Sequence, residues 1–201
     1  ISIKPDCADA YNNLGTVFQE QGKLERAIEA YKTAIKIDPD FFEAFNNMGN
    51  AFKDDGNIKK AIQAYKKSLS IKPDLAEAYR HISSIYKYST DDPELSKVLS
   101  LLSDVNISDD VRCNLNFALA KMYEDSGHFD MAFDCLSRGN AIRKKLLNYS
   151  INKDQNLFLR LKKIQPLFVK NTLQVKKTNY EVTPIFILGM PRSGTTLVEQ
   201  I

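Results

Sequence analysis

The sequence predicts an all-α superhelix of helical-hairpin repeats, followed by the first strand, loop and helix of a truncated α/β domain. Two observations predict the first part: the chain resembles itself at an offset of 34 residues, and that period is the length of one helix–turn–helix unit. A third predicts the second part. Near residue 183 the pattern changes from helical periodicity to a short apolar run that leads directly into a glycine loop.

The first element is the end of an earlier repeat, residues 1–6. The chain begins at Ile1 without an initiator Met or a signal-peptide pattern and stops at Ile201 inside a helical pattern, so both ends are expected to be cut from a longer protein. Complete repeats are expected at 8–41, 42–75, 76–112 and 113–146. Pro5, Pro39 and Pro73 recur, each followed by Asp, and so do Ala10, Ala44 and Ala78. The first two units also share Gly15/Gly49, Phe18/Phe52, Gly22/Gly56, Ala27/Ala61 and Tyr31/Tyr65. Gly15 and Ala27 remove bulk where helix A crosses helix B, and Tyr11, Leu14, Phe18 and Tyr31 fill the space around that crossing. Gly22 ends helix A, and Pro39 halts helix B. The third unit is degenerate, with Ser83 in the glycine position, Leu95 in place of the small Ala27 and an insertion around Thr90 to Pro93. The fourth recovers Tyr123, Gly127, Ala132 and Leu136.

This pattern resembles the tetratricopeptide repeat (TPR). The resemblance implies hairpins that stack side by side, because each unit exposes an apolar face that only a neighbour can bury. It also implies a concave surface formed by the A helices that binds an extended polypeptide or a partner helix. Asn12/Asn46 and Asn13/Asn47 fall one repeat apart on that helix, and an amide can donate to and accept from a peptide backbone. The four resemble the asparagine ladder in the repeats of the O-linked N-acetylglucosamine transferase, with His81 interrupting the row. An ordinary polar helix face accounts for them equally well.

Residues 147–182 are expected to form a basic capping helix and linker. Residues 1–137 carry a net charge of −6, whereas residues 138–177 carry +10. Arg143, Lys144, Lys145, Lys162 and Lys163 alternate with Leu146, Leu147, Leu157, Leu161 and Ile164, which fits a solvated amphipathic face. It also fits a positive field that draws in an anionic nucleotide or an acidic acceptor. No aromatic platform is interleaved with these charges, which argues against nucleic acid as the partner.

The last element is TPIFILGMPRSGTTLVEQI, residues 183–201. Ile185 to Leu188 reads as a buried parallel strand, Gly189 to Gly194 as a loop, and Thr195 onward as a helix start. Such an arrangement binds anions, because the first helical turn leaves N–H groups unpaired and the helix dipole favours negative charge. The glycine spacing matches a Walker loop, but Thr195 and Thr196 stand where a nucleoside triphosphatase needs Lys and then a magnesium-binding hydroxyl.

The string PRSGTTL after an apolar strand resembles the 5′-phosphosulfate loop of sulfotransferases that use 3′-phosphoadenosine 5′-phosphosulfate (PAPS), in particular the protein-tyrosine sulfotransferase-like group with preceding TPR repeats. That resemblance implies a transferase that moves a sulfuryl group from PAPS to a hydroxyl such as protein tyrosine. Arg192 would be the catalytic contact to the sulfuryl group, and Arg192, Ser193, Gly194, Thr195 and Thr196 would hold the donor. Its general base and 3′-phosphate site would lie beyond Ile201, leaving these 201 residues inactive alone. Two rival readings remain: a TPR scaffold without catalysis, and a divergent P-loop nucleotide enzyme.

Composition sets limits. With 43% hydrophobic and 26% charged residues the chain is not low-complexity, and no apolar run approaches the ~18 residues of a membrane span. Cys7, Cys113 and Cys135 are odd in number and lack CxxC spacing, which favours inert thiols in a reducing, cytoplasmic compartment. His81 and His128 lie in different hairpins without ligands at metal-binding spacing, so no metal cofactor is expected.

Overall fold

The structure, a computed structural model, describes residues 7–171. Residues 1–149 form one compact unit and residues 150–201 a second. The strand, loop and helix expected at 183–201, with Arg192, Ser193, Gly194, Thr195 and Thr196, lie outside the described residues, as does the earlier-repeat tail at 1–6.

The first unit is built from four successive helix pairs, three of them packed as hairpins. They are α1 (Ala8–Glu20) with α2 (Leu24–Ile37), α3 (Phe42–Asp54) with α4 (Ile58–Ile71), α5 (Ala76–Ser83) followed by α6 (Pro93–Ser103), which pack on α7 rather than on each other, and α7 (Asp109–Asp125) with α8 (Phe129–Leu146). Among the described residues no strand occurs. Each A helix packs on the B helix of the hairpin before it, α3 on α2 and α5 on α4, and the A helices touch one another, α1 with α3 and α5 with α7. Apolar residues of three helix pairs therefore share one core, in which Ala61, Tyr65, Tyr79, Ile82 and Leu119 are buried together. In the second unit α9 (Ile151–Asn171) covers part of the segment expected as a basic helix, and Pro166 stands inside it.

Local chemistry explains the hairpin turns. Gly22, Gly56 and Gly127 hold φ of 71°, 76° and 81°, a region that costs an L side chain about 1–2 kcal/mol. This lets the next N–H turn back: Lys23 donates to Phe18 O at 2.9 Å, Asn57 to Phe52 O at 2.8 Å and His128 to Tyr123 O at 2.8 Å. These 6→1 bonds satisfy carbonyls that the helix end leaves unpaired. At the opposite ends, the Asn57, Asp92 and Ser108 side chains accept from Lys60, Glu94 and Val111 N–H and cap α4, α6 and α7.

At the hairpin crossings, a small residue is placed against a large one. A Cβ on Gly15 would lie 2.5 Å from Tyr31 Cε1, and one on Gly49 would lie 2.6 Å from Tyr65 Cε1. Tyr31 and Tyr65 are buried, so their rings occupy the space that the missing methyl leaves.

Two boundaries differ from the sequence expectation. The irregularity in the third repeat starts at Ser84 and not near Thr90, so α5 has 8 residues against 13 in α1 and α3. Ser83 Oγ donates to Arg80 O at 2.9 Å and Ser84 Oγ to His81 O at 2.7 Å, and hydroxyls that bond backbone carbonyls compete with helix propagation. The gap is closed by Tyr88, which is buried. Its N–H donates to Asp125 Oδ2 at 3.2 Å and its hydroxyl to Glu94 Oε2 at 3.1 Å. Helix A of the fourth repeat starts at Asp109, four residues before the expected 113, because Ser108 supplies a cap there.

Candidate functional site

Side chains on the A helices decide what this unit can bind, since α1 packs on α3 and α5 on α7, and the Asn46–His81 contact links α3 to α5. Of the four asparagines expected to line a groove, the structure buries Asn12 and Asn46 in the seams between repeats and engages Asn47 in one of them. Asn12 is 9% exposed and Asn46 5%. Asn12 Oδ1 accepts from Asn47 Nδ2 of the next repeat at 3.0 Å. One repeat on, Asn46 Oδ1 lies 3.4 Å from His81 Nδ1. The same step of 35 residues links Gln19 Nε2 to Asp54 Oδ2 at 2.6 Å. A buried amide without a partner costs ~1–3 kcal/mol, so these bonds fix the seams.

His81 therefore does not simply interrupt the asparagine row. Its Nε2 lies 3.4 Å from Arg80 Nη2, which can only donate, so in the neutral ring the proton sits on Nδ1 and points to Asn46 Oδ1. Burial first, then the nearby charges of Arg80 and Lys53, together lower the His81 pKa to about 4. The ring is neutral at pH 7 and tilts against Tyr65 at a centroid distance of 5.3 Å. Tyr65 in turn donates to Asn50 Oδ1 at 2.7 Å, and Tyr31 to Gln19 Oε1 at 3.1 Å. Burial first, with Asp54 nearby, keeps both phenols protonated well above the usual range. The sequence signal for the His81 contact was available: His81 stands 34 residues after Asn47.

Asn13 is exposed, and Asn47 is half-buried with only its Nδ2 engaged in the Asn12 bond. Exposed surface of a different kind lies at the far edge of the fourth hairpin. Phe129 and Phe133 are 68% and 71% exposed there, whereas Ile28, the first-repeat counterpart of Phe133, is 9% exposed beneath the second repeat.

The thiols are Cys7, partly exposed, and Cys113 and Cys135, both buried and all free. Burial pushes the Cys113 and Cys135 thiols above their ordinary range, and Cys113 Sγ donates to Gly139 O at 3.5 Å. Neither is a ready nucleophile. Among the described residues no group of three or more His, Cys, Asp or Glu is placed to hold a metal, and no helix is long and apolar enough to cross a membrane.

Known proteins share these features in part. Family models described as TPR repeat and tetratricopeptide repeat match residues 17–56 and 42–75. An uncharacterized protein of Aquifex aeolicus (strain VF5) is 32% identical over 114 residues, which are 57% of this chain and 15% of that protein. The chain thus spans less than a sixth of that curated relative's length. Among solved structures, MamA superposes with a TM-score of 0.54 at 20% identity, over 73% of this chain and 84% of that one. BtubC (BKLC) from P. vanneervenii gives 0.53 at 19% identity, over 74% and 68%. A putative kinesin light chain of Podosopora anserina with nearly identical TPR-like repeats gives 0.52 at 14%, over 72% and 80%. At such identities these likenesses show the fold alone. Residues 17–75 carry tetratricopeptide repeats, and the described hairpins continue the same all-helical stack.

Proposed function

We propose that residues 8–125 present a binding face for a partner polypeptide in extended conformation, held mainly through its backbone. One observation carries this reading. Asn13 and Asn47 keep amide capacity directed outward one repeat apart, while Asn12 and Asn46 satisfy the seams beneath them. A backbone offers one N–H and one C=O per residue, and an amide side chain matches either without reading the sequence. Asn13→Ala removes an exposed amide with no seam role, so it should weaken binding of a bound peptide by about 1 kcal/mol, roughly fivefold, and leave helicity intact. Titration of a fluorescent peptide library against the 201-residue chain measures this. A folded Asn13→Ala variant with unchanged affinity would leave Asn13 as ordinary surface.

A second reading concerns the intact protein and rests on residues 183–201 of the sequence. We propose that the strand pattern Ile185–Leu188 and the loop Gly189–Gly194 begin a PAPS-dependent sulfotransferase domain, to which the repeats deliver a hydroxyl-bearing acceptor. Backbone N–H groups and hydroxyls of Ser193, Gly194, Thr195 and Thr196 would cradle the phosphosulfate, and Arg192 would balance charge that develops on the sulfuryl oxygens. Retention of the full-length protein on immobilised adenosine 3′,5′-bisphosphate supports this reading. A full-length protein that hydrolyses ATP but ignores the sulfate donor overturns it.

A further inference from the structure

We propose that the occupant of the A-helix face is a lysine- or arginine-rich polypeptide. This rests on the peptide-binding reading above and adds the partner's charge. On a helix, residues at i, i+4, i+7 and i+11 form one stripe. The stripe through Asn13 on α1 is Asp9, Asn13, Thr16 and Glu20, and its counterpart on α3 is Glu43, Asn47, Asn50 and Asp54. Each therefore has neutral hydrogen-bonding groups in the middle and a carboxylate at both ends. Glu77 repeats the first carboxylate on α5, four residues before His81.

The seam bonds show that the stripe belongs to the A-helix row, since Asn47 and Asp54 both reach the preceding A helix. Asp9, Glu20, Glu43, Asp54 and Glu77 are exposed. Among the described residues Asp9, Glu20, Glu43 and Glu77 enter no ion pair, and Asp54 is held by the neutral Gln19 amide. Two cations, Lys53 and Arg80, lie near His81 against the five carboxylates, so the face stays predominantly acidic.

The spacing suits an extended chain. Eleven residues of helix separate the two carboxylate rows by about 16 Å. A strand laid across the helices along the amide row points alternate side chains to opposite sides, so a lysine stem of about 6 Å reaches toward a row on either side. Three A helices at ~10 Å intervals are spanned by roughly eight extended residues. An acidic peptide would meet like charge on both sides, and unlike charges steer encounter as well as docking.

Three labelled peptides of equal length, in which pairs of serines alternate with pairs of lysine, glutamine or glutamate so that the test residues fall on both sides of an extended chain, test the proposal by fluorescence anisotropy on the 201-residue chain at low and high salt. The lysine peptide should bind tightest and the glutamate peptide weakest, and salt should erase the difference. Glu43→Gln/Glu77→Gln should weaken the lysine peptide about three- to tenfold and leave the glutamine peptide unchanged. The same removal of two charges on α2, Glu25→Gln/Glu29→Gln, should change neither. Glutamate binding equal to lysine, an unaffected Glu43→Gln/Glu77→Gln variant, or an equal loss in the α2 variant overturns the proposal, and glutamine-peptide binding that persists keeps the peptide-binding reading. If none of the three peptides binds, that reading fails and takes this one with it.

Discussion

Gly49→Ala should destabilise the repeats although alanine is the better helix former. In an open helix the exchange would gain about 1 kcal/mol. Here the new Cβ would meet Tyr65 Cε1 at 2.6 Å, Cδ1 at 2.7 Å and Cζ at 3.0 Å, all inside van der Waals contact. The ring has little freedom to yield. It is fully buried, its hydroxyl donates to Asn50 at 2.7 Å, and His81 packs against it at 5.3 Å. Overpacking costs ~1–3 kcal/mol and loss of the hydroxyl bond about 1 kcal/mol more, so after the propensity gain the net loss should be about 1–3 kcal/mol. The fourth repeat carries the compensated version: Ala120 and Leu136 stand at the positions of Gly49 and Tyr65, a larger residue facing a smaller one. Gly49→Ala in a Tyr65→Leu background should therefore cost much less than in the native chain, a coupling of at least about 1 kcal/mol. Urea unfolding followed by far-UV circular dichroism measures all four chains. A Gly49→Ala chain with an equal or higher midpoint, or a coupling near zero, would refute the steric argument.

Two further outcomes are expected. The folded His81 pKa of about 4 lies below the unfolded value of about 6.5, so its contribution to stability is complete above pH ~6.5 and is lost as pH falls toward ~4; the unfolding free energy measured by urea titration should drop by up to about 2 kcal/mol between pH ~7 and ~5, and His81→Asn should flatten that slope. In the intact protein, Arg192→Ala should lower sulfuryl transfer roughly 100- to 1000-fold while donor binding changes little, and normal turnover in that variant would exclude the assigned role.

The sequence by itself determined the hairpins and their turns. A period of 34 places the helices, a left-handed turn residue demands glycine at Gly22, Gly56 and Gly127, and a glycine facing a tyrosine at Gly15 and Gly49 marks the crossing. These are properties of single residues and their spacing. The loop expected at Gly189 to Gly194 is read in the same way, as a motif in the sequence, and lies outside the described residues. What only the tertiary structure decided is which of two adjacent asparagines serves the fold. Asn12 and Asn13 recur with one period and share one chemistry, yet they sit about 100° apart around the helix. The next A helix covers one and leaves the other open, so Asn12 is buried and bonded to Asn47 while Asn13 is exposed. The place of His81 in a seam and that of Tyr88 against α7 follow the same logic. Each depends on a partner that stands a whole repeat away, such as Asn46 for His81 and Asp125 for the Tyr88 that fills the shortened turn, and local propensity carries no information about a contact made across that distance.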